Sequence, residues 1–476
     1  MDLERTKANQ AKGEINKNYL EQSLHQLKCH FNWNLVKEKS SLEDLENRIK
    51  CQVKFFASES KATLYNLLAY IKHLRGQTEA ALECLQQAED SIQQENTDQA
   101  EIRRVVTWGN YAWVYYHMGR FQDAQVYLDK VETICKNFLV ECPEMDSEQG
   151  WALLKFSKMH YERAKECFEK ALNEKPNNPE FTLGLAITLF QLDGGKLTNA
   201  IPLLRKAIEL NPNNQYVKVI LALELQRVNE KTEAKELVEE ALTQTPRPIE
   251  VLCKAGKFYH YMNNQDTALE LLREASELSP ENAYLQHQLG HYYWVKANQI
   301  NKRGANEAHR NFENIEELRR RAIAHMKKAI MLFEDLTDAY SYIGQMYVQI
   351  GEYEEAEKYF QRAFSKTLTP KENQLLHLRY GNFQQYQRTS EKNAIFYYLE
   401  GLKINEESNI REKLKGKLIK IAERRFSQNP DDSVHWLILA YIHRLNGEEE
   451  KATACYKKGK GVLLENTSYD WSTLFS

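Results

Sequence analysis

Residues 200–212 read AIPLLRKAIELNP, residues 234–246 read AKELVEEALTQTP, and residues 268–280 read ALELLREASELSP. Laid over one another, they share an opening alanine (Ala200, Ala234, Ala268) and a second alanine seven residues on (Ala207, Ala241, Ala275). All three end on proline (Pro212, Pro246, Pro280), and the period is 34 residues. A bulky apolar residue, Leu204, Val238 or Leu272, stands between each pair of alanines. Alanines two turns apart lie on one helix face and let a second helix approach closely. The proline cannot continue the helix and marks its end.

A 34-residue period of this kind is the signature of the tetratricopeptide repeat, two antiparallel helices per unit. One unit cannot bury its own apolar face, so units must stack, and the expected fold is an all-α superhelix. Earlier units are marked by Tyr65 to Ala88, Trp108 to Leu128, Trp151 to Pro176 and Gly184 to Pro212. Later ones begin near Tyr284, Tyr340, Gly381 and Trp436, giving about ten units in all. The expected division is an arm with capping helices (1–60), the N-terminal and central repeats (61–295), a charged insertion inside a repeat (296–321), C-terminal repeats (322–402), and a basic helix with the last unit and a tail (403–476). The insertion either lengthens helices or forms a loop.

An apolar fraction of 42% and a charged fraction of 28% fit a folded soluble chain. A net charge of −3 advertises neither a nucleic-acid nor a membrane partner, so any basic surface must be local, and neither DNA nor a membrane is expected as a partner. The eight cysteines form no CxxC pair, which reads as reduced thiols and a cytoplasmic location. No apolar run is long enough to span a bilayer.

Little suggests chemistry. His287 and His291 lie four residues apart on one helix face, but Gln288 stands where the HExxH metalloprotease motif has glutamate. A packed or groove-lining pair is expected, and no metal or other cofactor. Gly194-Gly195-Lys196 lacks the rest of a phosphate loop and reads as a turn. No nucleophile elbow or paired catalytic carboxylates emerge, and no enzyme is expected. The helix over 409–425 is more telling: seven basic and two acidic residues, with Lys413, Lys417, Lys420 and Arg424 in one stripe. Leu414, Leu418 and Ile421 form an adjacent apolar stripe. Such a helix packs by one side and offers cations to a polyanion, or merely to solvent, by the other.

Longer motifs carry a family resemblance. NLLAYIKHL at 66–74, VTWGNYAWVYYH at 106–117, GWALLK at 150–155 and ERAK at 162–165 resemble the interferon-induced proteins with tetratricopeptide repeats, as do Cys29-His30-Phe31 and Lys257-Phe258-Tyr259. LLHLRYGNF at 375–383 looks like the family's second paralogue, and the ending around IHRLNG at 442–447 like its third. The resemblance implies a cytoplasmic antiviral effector, some relatives of which grip capped or triphosphorylated RNA ends in a positively charged tunnel. It places Trp151, with Ile187 opposite, where a cap base stacks, and sets Arg48, Gln52, Lys155, Tyr161, Lys257, His287 and Gln288 along the tunnel. Gln191, Cys253, Lys254 and His260 depart from it, standing where end-binding members have arginine, arginine, tyrosine and arginine. In the third paralogue a Tyr-x-x-x-Leu motif supports docking; here Tyr456 is present and Lys460 replaces the leucine.

Two expectations follow. The first is an effector that binds single-stranded RNA, AU-rich strands included, with weak 5′-end dependence, and assembles with related repeat proteins as a homo- or hetero-oligomer to restrict viral RNA translation or replication. The alternative is a scaffold for family members and signalling adaptors with little RNA binding of its own.

Overall fold

The computed structural model describes residues 17–35, 42–55, 61–93, 100–135, 142–192, 200–243, 247–302, 305–334 and 336–460. All regular structure among them is helical: α1 over 17–25, then 22 α-helices between Leu42 and Lys460. They follow the repeat. Behind α2 (Leu42–Phe55), α3 (Lys61–Leu74) pairs with α4 (Thr78–Gln93), α5 (Ala100–His117) with α6 (Phe121–Cys135), and α7 (Pro143–Phe156) with α8 (Tyr161–Glu174). Next come α9 (Pro179–Leu192) with α10 (Ala200–Leu210), α11 (Gln215–Arg227) with α12 (Lys231–Thr243), and α13 (Ile249–Tyr261) with α14 (Gln265–Leu278).

The alanines of the repeat do what their size requires. Ala200, Ala207, Ala234, Ala241, Ala268 and Ala275 are all buried, and so are Leu204, Val238 and Leu272 between them. Turns within a pair need a residue in the left-handed region, supplied by Gly76, Gly119, Gly351 and Gly447 and, at two turns, by Asn229 and Asn263. The following amide closes each turn on the first helix, as in Gln77 N to Lys72 O (2.9 Å) and Asn264 N to Tyr259 O (2.9 Å). Between α8 and α9, Phe168 lies against Gly150 and Gly184, and a Cβ on Gly150 would come within 2.9 Å of its ring.

The chain divides into two compact units, one ending at Asn282 and the other beginning at Ala283. In the N-terminal unit, residues 26–35 form a hook stapled across several repeats. His30 N donates to Asn110 Oδ1 (3.2 Å), Arg163 donates to Trp33 O (2.7 Å), and His160 Nε2 lies 2.6 Å from Leu35 O. Buried Arg103 on α5 meets Glu148 on α7 (3.6 Å) and Glu180 on α9 (3.3 Å), tying three successive first helices together.

The C-terminal unit opens with α15 (Ala283–Lys302) and α16 (Ala305–Leu332), of 20 and 28 residues. The insertion is absorbed by lengthening both helices of one pair. The pairing holds because Gly290 admits Met326 and the Ala322 carbonyl: a Cβ there would lie 2.6 Å from Met326 Cγ and 2.9 Å from Ala322 O. Then α17 (Thr337–Gln349) pairs with α18 (Tyr353–Phe364), and α19 (Pro370–Tyr386) with α20 (Glu391–Lys403). After α21 (Asn409–Gln428), α22 (Ser433–Leu445) pairs with α23 (Glu449–Lys460). α19 starts with a capping box, the Thr369 hydroxyl accepting from Glu372 N (3.3 Å) and the Glu372 carboxylate from Thr369 N (2.9 Å). No described helix is long and apolar enough to cross a membrane.

Candidate nucleic-acid interface

In the N-terminal unit the site residues come from the first helices of successive pairs. Trp151 and Lys155 are one turn apart on α7, and the Lys155 ammonium lies 6.0 Å from the indole centre. Trp151 is only 8% exposed, edge-on to Phe168 (5.3 Å), with its Nε1 buried and unbonded. Ile187 on α9 and Tyr161 at the start of α8 are half-buried against the same core. Gln191, at the end of α9, is exposed.

On α13, Lys254 and Lys257 are half-buried, and Lys257 Nζ lies 5.6 Å from the Tyr261 ring centre. Lys254 is the residue that sequence reading undervalued. Burial, with Lys257 and Lys155 beside it, lowers its ammonium from 10.5 to about 8. Among the described residues no carboxylate pairs with Lys254 or Lys257. Three lysines from two helices thus share one face, and the two on α13 lack a paired acid there. Spacing within α13 could have flagged Lys254 and Lys257 as one face, but bringing in Lys155 required α7 to be placed. Of the neighbouring departures, burial pushes the Cys253 thiol up to about 12, so it stays uncharged, and His260 Nδ1 lies 2.9 Å from Gln265 Oε1.

Gln52 on α2 is half-buried, its Oε1 without a partner. The Arg48 side chain lies outside the described residues, as do 193–199 with the Gly194-Gly195-Lys196 stretch.

In the C-terminal unit, His287 and Gln288 sit on α15. His287 Nε2 lies 3.4 Å from Asp338 Oδ2 on α17, and the Gln288 Oε1 is buried without a partner. His291 is one turn beyond His287 and lies against Tyr342 (5.7 Å). Among the described residues no group of three candidate ligands could hold a metal ion. The arginine triplet at the end of the insertion is committed: Arg319 donates to Gln349 O (3.1 Å), Arg320 to Glu316 (2.8 Å), and Arg321 pairs with Glu317.

The basic stripe on α21 divides. Lys413 and Lys420 are exposed. Lys417 donates to the Tyr386 hydroxyl (3.1 Å) and lies 4.8 Å over its ring. Arg424 pairs with Glu391, so its charge is matched. Off the stripe, Arg411 donates to Leu402 O and Ile404 O, Arg425 bridges Glu391 and Asp432, and Lys415 bonds Glu412 and Asn446. A formal excess of five in sequence becomes two exposed lysines and a third held on Tyr386, because cross-helix carboxylates are invisible in a linear count. Tyr456 on α23 is half-buried and packs against the core of this unit.

Tetratricopeptide-repeat family models match residues 60–137, 148–215 and 336–367, and the model of the Psidin N-terminal repeat region matches 189–314. Human "Interferon-induced protein with tetratricopeptide repeats 2" is 49% identical over 96% of this chain and 98% of its own length. The chain belongs to the interferon-induced proteins with tetratricopeptide repeats. The mouse protein of the same name is 46% identical over 90% of the chain and 92% of its own length. Human "Antiviral innate immune response effector IFIT1" is 40% identical over 92% and 94%. Among solved structures, the human IFIT1 dimer with m7Gppp-AAAA superposes with a TM-score of 0.75 at 38% identity, covering 94% of this chain and 100% of that one. The same dimer with PPP-AAAA gives 0.74 at the same identity and coverage. As a member of this interferon-induced family, the chain is not an enzyme.

Proposed function

We propose that this chain is a cytoplasmic antiviral effector that binds single-stranded RNA with weak dependence on its 5′ end. The observation that carries the reading is the Lys155–Lys254–Lys257 group, three ammoniums on one face with no carboxylate paired to Lys254 or Lys257 among the described residues. A partly desolvated cation cluster is stabilised by an incoming polyanion, and phosphodiester oxygens supply the charge. Weak end dependence follows from the side chains present. Lysine is a point charge, whereas tight capture of a terminal triphosphate favours the planar, bidentate guanidinium, which Gln191, Cys253 and His260 do not supply. In the C-terminal unit Lys413, Lys417 and Lys420, with the Lys417 ammonium over the exposed ring of Tyr386, offer a second stretch of cation and aromatic surface for a single strand. Relatives solved with capped and triphosphorylated AAAA support RNA as the ligand class.

A fluorescence-anisotropy titration of one AU-rich strand bearing a 5′-hydroxyl, a 5′-triphosphate or a cap, at two salt concentrations, tests this. Equal, salt-sensitive binding of all three is expected. A strong preference for the triphosphate or the cap refutes the weak end dependence.

Assembly with related repeat proteins is the second part of the proposal, supported by the dimeric state of the human IFIT1 structures. Should no strand bind while the chain co-purifies stoichiometrically with a relative, the scaffold reading replaces the RNA one. The missing guanidiniums at Gln191, Cys253 and His260 already favour that alternative over end capture.

A further inference from the structure

The C-terminal unit holds a second cluster whose chemistry differs from a phosphate site. Tyr342 on α17 is its centre. The Arg379 guanidinium, from α19, lies 3.7 Å from the Tyr342 ring centre and donates to Ser341 Oγ (2.5 Å). His287, His291 and Trp294, successive turns of α15, stand nearly perpendicular to Tyr342, with centroids 6.1, 5.7 and 5.8 Å away. All four rings are half-buried, and Trp294 is fixed by donating to Gln349 Oε1 (2.8 Å). Asp338, one turn before Tyr342, keeps 34% of its side chain accessible. Burial alone would raise its carboxyl, but His287 and Arg379 outweigh that and hold it below the usual range, ionised at neutral pH.

An ionised carboxylate repels phosphate, so this is not a backbone site. A quaternary or methylated ammonium, the usual guest of an aromatic cage with an acid, is disfavoured because Arg379 already places a cation on Tyr342. What remains is a planar, uncharged guest that stacks on half-exposed rings and presents a hydrogen-bond donor to a carboxylate.

We propose that Asp338, with the rings of His287, His291, Trp294 and Tyr342, forms a nucleobase subsite that selects bases bearing an exocyclic amine over bases bearing a carbonyl at that edge. The amine donates to the Asp338 carboxylate, while a carbonyl there sets two acceptors against each other. This rests on the RNA-binding reading above and adds a base preference to it.

The test is a one-group swap on a constant ring: 5′-hydroxyl homopolymers of adenylate against inosinate, and of cytidylate against uridylate, titrated against the full chain. The amino member of each pair is expected to bind about five- to tenfold more tightly, the size of one discriminating contact. Asp338→Asn, which offers a donor as well as an acceptor, is expected to bring both ratios close to one. Lys254→Glu should weaken all four strands and leave the ratios unchanged. Equal affinities within each pair in the wild-type chain, or ratios that survive Asp338→Asn, overturn the subsite while leaving RNA binding standing. If Asp338→Asn does not fold, the wild-type ratios alone decide. Absence of binding to every strand overturns both.

Discussion

Lys254 is the residue on which most of the N-terminal site turns. Its amine joins a face that already holds Lys155 and Lys257. Lys254→Glu should reduce RNA affinity by about ten- to a hundredfold, the range of a lost charge-assisted contact, measured by anisotropy at fixed salt. The pH dependence has a definite sign. In the RNA-free chain Lys254 loses its proton near pH 8, so RNA affinity should fall as pH rises from about 8 towards 10, and Lys254→Arg should flatten that fall. Stability runs the other way: the unfolded amine titrates near 10.5, so between about 8 and 10.5 the unfolded chain holds more protons and the fold gains stability as pH rises. Urea unfolding across that window, wild type against Lys254→Met, measures it. The repeat alanines could be assigned to the core from the sequence, because a 34-residue period states their environment directly. Lys254 could not be assigned, because burial, the main cause of its lowered ammonium, is set by the packing around it, and Lys155, which adds to the effect, lies ninety-nine positions away.

Helix pairs are held by close approach at single points. Phe168 is fully buried against Gly150 and Gly184, so Phe168→Ala should cost about 3–5 kcal/mol, and Gly184→Val should cost about 1–3 kcal/mol through overpacking, both read by denaturant unfolding. At the start of α19, Thr369→Ala removes the capping box and should cost about 1 kcal/mol. On α21 the expectation concerns salt. Lys413 and Lys420 are exposed, whereas Arg424 pairs with Glu391, so Lys413→Gln with Lys420→Gln should lower the slope of log K against log salt by about 0.7 per lysine. Arg424→Gln should change it far less. The helix itself was legible from its 3.6-residue apolar stripe. Which of its seven basic residues face an acid was not, because Glu391 and Asp432 lie on the neighbouring loops and helices.

For the whole chain, binding to the folded state alone must stabilise it by mass action. A saturating AU-rich 5′-hydroxyl strand should raise the thermal midpoint, and added salt should erase the gain. An unchanged midpoint at concentrations far above the working affinity of the titration would place RNA outside the folded chain's ligands. Size-exclusion chromatography with light scattering, alone and with a family relative, separates monomer, homo-oligomer and hetero-oligomer.

Linear spacing was enough to establish the repeat, its all-helical consequence and the approximate place of each unit, because small residues and turn formers recur at a fixed interval and act locally. It also pointed to an insertion at 296–321, though not to helices α15 and α16 of 20 and 28 residues there. How charges are matched was settled in three dimensions. Folding left Lys254 and Lys257 without paired carboxylates among the described residues, joined Arg424 to Glu391, and set Asp338 beside His287, whose ring meets Tyr342 edge-on. Periodicity is a property of neighbours along the chain; electrostatic compensation and stacking are properties of neighbours in space, which in a stacked array come from different repeats.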